Sequence, residues 1–266
     1  MKKIIIRNWN ELNDELFKDT FDSKIKRFRS TFAYRGVSDE KHEILNSLTR
    51  LGKPYKTMEQ NLIKQFRKYA HKHVVERDTE WHWLSIAQHH GLPTRLIDWT
   101  YSPLVALHFA TSEIDKYGSN GAIWKIDYSD AHKILQTKQT TSLDTLGARI
   151  FNVDALYETV TDLKSLDGLH AKNFDVAVFF EPPAIDDRIV NQFAYFSALS
   201  DPHLSMNDWF KQPHVKGNVN VVKIVIPYKL KWEIRDKLDQ SNINERVLFP
   251  GLDGLCSWLK RHYKPI

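Results

Sequence analysis

The side chains best equipped for chemistry crowd into residues 81–110, WHWLSIAQHHGLPTRLIDWTYSPLVALHFA. Gln88, His89 and His90 precede a Gly-Leu-Pro turn, Thr94 and Arg95 follow it, and Asp98, Trp99, Thr100 and Phe109 come after. Polar groups among so many apolar neighbours must be satisfied by hydrogen bonds or serve a ligand. Two outlying groups join them. Arg35 ends the alternating run Phe32-Ala33-Tyr34, just before Gly36, and Glu181 precedes Arg188 and Gln192, which stand four apart and share a face if helical. A guanidinium offers a fork suited to phosphate or carboxylate, and aromatics stack on planar rings. A carboxylate can stabilise the positive charge that develops as a glycosidic bond loosens. This inventory suits a nucleotide. The opposing reading is that Asp98, Arg95 and Arg188 form a buried ion-pair network that fixes a loop.

Other chemistries fit poorly. His89, His90 and Asp98 are metal-ligand types, but adjacent histidines diverge on a helix and no HExxH occurs, so no metal is expected. His71 and His73 are two apart, do not share a helix face and read as surface residues. There is no GxSxG, and the single cysteine, Cys256, reads as a buried apolar residue. Phosphate loops of the GxxxxGKS or GxGxxG type are missing from the sequence.

The elements that must hold these residues are those of a globular chain of 266 residues, 42% hydrophobic and 12% aromatic. One cysteine excludes an internal disulfide and suits a reducing cytoplasm. The opening MKKIIIRNWN has too short an apolar run for a signal peptide and reads as a strand, and no stretch is long enough to span a membrane. The net charge of +5 permits a polyanion partner, but basic stretches such as FKDTFDSKIKRFRS contain acids and read as solvated helix faces. Alternation predicts strands at FAYRG, GAIWKIDYS, DVAVFFEPP and NVNVVKIVIPY. Helical spacing predicts helices at NWNELNDELFKD, residues 57–75, TEWHWLSIAQHHG, SPLVALHFATSEID, KLKWEIRDKLDQ and LDGLCSWLKRHYK. LPTRLIDWT reads as a link and ERVLFPG as a short strand or turn. One α+β domain over residues 1–266 is expected, with helices packed on a mixed, mostly antiparallel sheet.

FAYRG, WLSIAQHHGLPTRLIDWTYSPLVALHFA, EPPAIDDRIVNQFAYFS and LFPGLDGL together resemble the FRG domain family, whose Phe-Arg-Gly signature reads Tyr34-Arg35-Gly36 here. The resemblance runs from about residue 31 to residue 255.

The order of motifs is also similar to that of ADP-ribosyltransferases of the Arg-Ser-Glu type. These carry an aromatic-Arg-Gly strand, then a hydroxyl-bearing strand before an Ala-x-x-Phe-Ala helix, then a late glutamate followed by Val-Leu. The matching residues are Tyr34-Arg35-Gly36, then Thr94 or Thr100 before Ala106-Leu107-His108-Phe109-Ala110, then Glu245-Arg246-Val247-Leu248-Phe249-Pro250. The resemblance implies that Arg35 holds the phosphates of NAD as co-substrate, that a hydroxyl orients its nicotinamide side, and that a glutamate stabilises an oxocarbenium-like transition state. In that family the glutamate abuts Val-Leu. Here Arg246 does, and Glu245 falls on the opposite face if the segment is extended. The acid is then Glu245, or Glu181 or Asp98, or the fold persists without transfer. The expected activity is ADP-ribose transfer or nicotinamide cleavage in bacterial stress or phage defence, with a protein or nucleic acid as acceptor. The alternative is a non-catalytic nucleotide or nucleic-acid sensor.

Overall fold

The computed structural model describes residues 1–52, 55–71, 79–169 and 174–264. Among the described residues ten strands form: β1 Lys2–Ile5, β2 Phe21–Asp22, β3 Arg27–Phe28, β4 Phe32–Val37, β5 Ile97–Thr100, β6 Gly121–Asp127, β7 Phe151–Asn152, β8 Ala177–Glu181, β9 Ala194–Leu199 and β10 Val221–Ile226. Eight of them make one sheet in the order β1-β10-β6-β4-β5-β9-β8-β7, antiparallel except for the two outer pairs, while β2 and β3 form a separate hairpin. The helices are α1 Trp9–Phe17, α2 Tyr55–Ala70, α3 Glu80–His89, α4 Pro103–Thr111, α5 Tyr128–Lys133, α6 Thr137–Leu146, α7 Val153–Thr159, α8 Leu163–Asp167, α9 Asp187–Asn191, α10 Met206–Trp209, α11 Lys231–Gln240, α12 Glu245–Leu248 and α13 Leu252–His262. The fold class is α+β, as the alternating and helical patterns predict.

Successive strand residues point to opposite faces, and the layers follow from that. Phe32, Tyr34, Ile123 and Ile224 pack against apolar residues of α1, α4 and α11. Val178, Phe180, Phe196 and Ala198 pack against α2, α3, α7 and α8. The ladder pairs Tyr34↔Thr100, Thr100↔Ala194 and Phe196↔Phe180 put these two clusters on one face, side by side. The residues between them on each strand, Ala33, Trp99, Tyr195 and Phe179, form the opposite core with Trp124, Met206 and Trp209.

α3 and α4, the helices that flank the polar stretch, are bounded by local signals. The Thr79 side chain accepts from the backbone N–H of His82, and α3 ends before Gly91, whose φ of 82° suits a residue without Cβ. Ser102 caps α4 and Pro103 opens it. α4 lies close on β4 because residue 36 is glycine: a Cβ there would come within 1.9 Å of the Ala106 carbonyl oxygen.

Several expectations need correction. The link LPTRLIDWT contains β5. ERVLFPG is not a strand, and it turns only at its end, Pro250-Gly251: Asn244 accepts from the Val247 N–H and starts α12, so Glu245 lies on a helix and the strand-face argument does not apply to it. Cys256 is exposed on α13. FKDTFDSKIKRFRS runs from the end of α1 into a hairpin and is not a helix face throughout. Residues 72–75 of the helix expected over 57–75, His73 among them, lie outside the described residues, and His71 is exposed. Among the described residues, no helix is long and apolar enough to cross a membrane.

Candidate functional site

β4 pairs with β6 through six residues, Phe32 to Val37, but with β5 through one, Tyr34↔Thr100. Beyond that pair the two strands part, and a cleft of about 350 Å³ opens between them. Its walls are Tyr34 to Ser38 and Asp98 to Thr100, with Gln88 and His89 from the end of α3, Phe109 from α4, and Arg188 and Gln192 from the α9 region. The size is within the range of small-molecule sites.

Arg35 spans the gap. Its Nη1 donates to the backbone carbonyl of Asp98 and lies 3.8 Å from Asp98 Oδ2. Its Nε is buried and has no hydrogen-bond partner. Burial pushes the Arg35 guanidinium below its ordinary value; Asp98 opposes the shift and nearby Arg50 adds to it.

The Asp98 carboxylate is held but open. Its side chain is 58% exposed, and both oxygens sit 3.0 Å from Gln88 Nε2. Thr94, fully buried, donates through its hydroxyl to Gln88 Oε1 at 2.7 Å, which fixes the amide so that its NH₂ faces Asp98. Thr94 therefore acts on the cleft through Gln88. Thr100 lines the cleft, and its hydroxyl accepts from the Ser102 N–H.

His89 Nε2 pairs with Asp186, whose other oxygen caps α9 by accepting from the Ile189 N–H at 3.0 Å. Burial lowers the His89 pKa despite this pairing, and Arg188 and His90 add to the effect. A wider hollow of about 630 Å³ adjoins the cleft and shares Gln88, His89 and Arg188 with it. His90, Asp186, Phe249 and Pro250 complete much of its rim, and the Arg188 guanidinium stands 5.1 Å above the Phe249 ring. Gln192 donates to the Leu248 carbonyl and Asn191 to that of Val247, which ties α9 to α12.

The cleft thus gathers Tyr34, Arg35, Gly36, Gln88, His89, Asp98, Trp99, Thr100, Phe109, Arg188 and Gln192 from five distant parts of the chain. Others of the sequence-predicted residues lie apart. Arg95 is buried in an ion pair with Glu59, at 2.6 Å, and with Asp167. That pairing stabilises α2 and α8 around it and does not involve Asp98 or Arg188. Glu245 is bound by Arg261 through two contacts of 2.7 Å, inside a cluster with Asp239 and the fully buried Arg235. Burial alone would raise the Glu245 pKa, but the Arg261 hydrogen bonds and the charges of Arg235 and Arg261 bring it to about 2. Glu181 is exposed at the end of β8, close enough to Tyr101 to raise its pKa after burial has done so.

Ser38, His42, Glu43, Arg50, Ser112 and Glu113 also line the cleft and carry no sequence signal that marks them. Ser38 alone was reachable, by continuing β4 one residue past Val37. The lining holds three guanidiniums, Arg35, Arg50 and Arg188, and three carboxylates, Asp98, Glu43 and Glu113. Among the described residues no group of three or more His, Cys, Asp or Glu side chains is placed to hold a metal ion.

The FRG domain family matches residues 30–118, a span that contains β4, α3, β5 and α4, four of the elements that line the cleft. No curated protein and no solved structure matches the chain.

Proposed function

We propose that the cleft of this FRG domain binds NAD and promotes departure of its nicotinamide, with ADP-ribose passing to a protein or nucleic-acid acceptor or to water. The observation that carries this reading is the parted pair β4–β5, which sets a guanidinium, Arg35, against an exposed and oriented carboxylate, Asp98, inside a cleft of ligand size. Arg35 and Arg188 supply forks for a pyrophosphate. The adjoining hollow with Phe249 and Pro250 gives a two-part ligand a second berth, since both hollows share Gln88, His89 and Arg188.

In this scheme Asp98 is the carboxylate that steadies the ribose as its bond to nicotinamide lengthens and positive charge spreads over the ring. The bonding electrons leave with nicotinamide, and the acceptor's oxygen or nitrogen bonds to the ribose carbon and gives up its proton. Glu245 is committed to Arg261, and Glu181 lies outside the lining of the cleft. Thr94 and Gln88 hold Asp98 in its rotamer, which lowers the cost of reorganisation during reaction.

A second reading, a nucleotide-binding module without transfer, is favoured by one observation: the late glutamate that the ADP-ribosyltransferase motif order offers is locked in an ion cluster. Nicotinamide release from NAD by the purified chain, measured beside NAD binding, separates the two. Binding with release supports transfer or hydrolysis, and binding without release supports the module.

A further inference from the structure

The hairpin of β2 and β3 stands outside the main sheet and exposes side chains that a folded surface ordinarily hides. Phe21 is 54% and Phe28 73% exposed, and Ile25 and Phe17 are exposed near them. The register sets Phe21 directly opposite Phe28, with ring centroids 5.2 Å apart and planes inclined at 64°. Lys24 and Lys26 stand in the turn, Arg27 and Arg29 flank Phe28 and point to the other face of the ribbon, and all four are exposed. The two acids nearby do not cancel them: Asp22 is taken by Arg149 at 2.7 Å, and one carboxylate, Asp19, remains.

The geometry points to this hairpin as a docking surface for single-stranded nucleic acid. Rings offered to stacking beside unpaired cations are what a chain of bases and phosphates requires. The arrangement does not suit a lipid surface as well. The turn that would enter a bilayer first is Ser23-Lys24-Ile25-Lys26, with two ammonium groups at the tip, and the phenylalanine pair sits behind it at the hairpin's base. A nucleic-acid strand follows the edge of β3, with Phe28 against a base on one face, Arg27 and Arg29 reaching its phosphates from the other, and Lys24 and Lys26 meeting it at the turn. The assignment is independent of what the cleft binds.

The test is fluorescence anisotropy of the full chain with labelled oligothymidylate and oligouridylate, beside co-sedimentation with phosphatidylcholine–phosphatidylserine vesicles. Two variants are compared, Phe21→Ala/Phe28→Ala and Lys24→Glu/Lys26→Glu/Arg27→Glu; every changed side chain is exposed, and an unchanged thermal midpoint verifies folding. The expected result is oligonucleotide binding that the aromatic variant weakens roughly tenfold. With four phosphates engaged, wild-type affinity should fall on the order of fiftyfold from roughly 50 to 200 mM salt, and the charge variant should lose most of that dependence. No oligonucleotide binding, binding unchanged in both variants, or capture by vesicles in place of oligonucleotide would each overturn the proposal.

Discussion

Tyr34 and Thr100 are the one pair of residues through which β4 and β5 meet, and the cleft opens where the strands part beyond it. Tyr34 faces the core, where its hydroxyl donates to the Leu16 carbonyl, so the strand is fixed up to the point of parting. Arg35, immediately after it, is the first side chain free to reach across.

Gly36 is required by the approach of α4. Gly36→Ala would place a methyl group against the Ala106 carbonyl and the Ala110 N–H, both backbone atoms that cannot move aside without shifting the helix. We expect a loss of about 2–3 kcal/mol, read from the urea midpoint. Unchanged stability would mean that α4 stands off β4 far enough to admit a methyl group at residue 36.

Asp98 should matter to reaction more than to binding or stability. Asp98→Asn keeps the contact to Gln88 in size and removes only charge from a side chain that is mostly exposed. Nicotinamide release should fall about a hundredfold or more, while NAD affinity and the thermal midpoint change little. Release at the wild-type rate would remove Asp98 from the mechanism.

Glu245 should matter to stability and its pH dependence. Its pKa of about 2 in the folded chain lies below the ordinary 4.5, so its contribution is fully present above pH 4.5 and is withdrawn as pH falls toward 2. The difference is worth on the order of 3 kcal/mol. Glu245→Gln should therefore be less stable than wild type at pH 7, and the gap in urea midpoint should narrow steadily below pH 4.5. A gap independent of pH would show that the Arg261 pairing contributes nothing through charge.

The sequence made Arg35, Gln88, His89 and Asp98 legible as polar residues out of place, and Ser102-Pro103 marked the start of α4. Two of the three strands around the cleft were harder to see. β5 has four residues and directly follows a turn, too short a run for alternation to show. β9 follows α9 through Phe193, which takes a φ of 50°; that turn is normally announced by glycine, and a phenylalanine gives no such sign. Glu43 reaches the cleft from a loop and Arg50 from a single 3-10 turn, Leu48–Leu51, both too short for periodicity to show which way a side chain points. Arg95 and Glu245 looked like ligand residues because a buried ion pair and a binding site use the same residue types, and only the partners Glu59, Asp167 and Arg261 tell them apart.

The central claim is that Arg35 anchors NAD in the cleft between β4 and β5, and calorimetric titration of the wild-type chain and Arg35→Ala with NAD tests it most directly. The account predicts saturable one-site binding by the wild type and a loss of affinity of roughly tenfold or more in the variant, at an unchanged far-ultraviolet circular dichroism spectrum. No binding by the wild type, or equal binding by both, would contradict it.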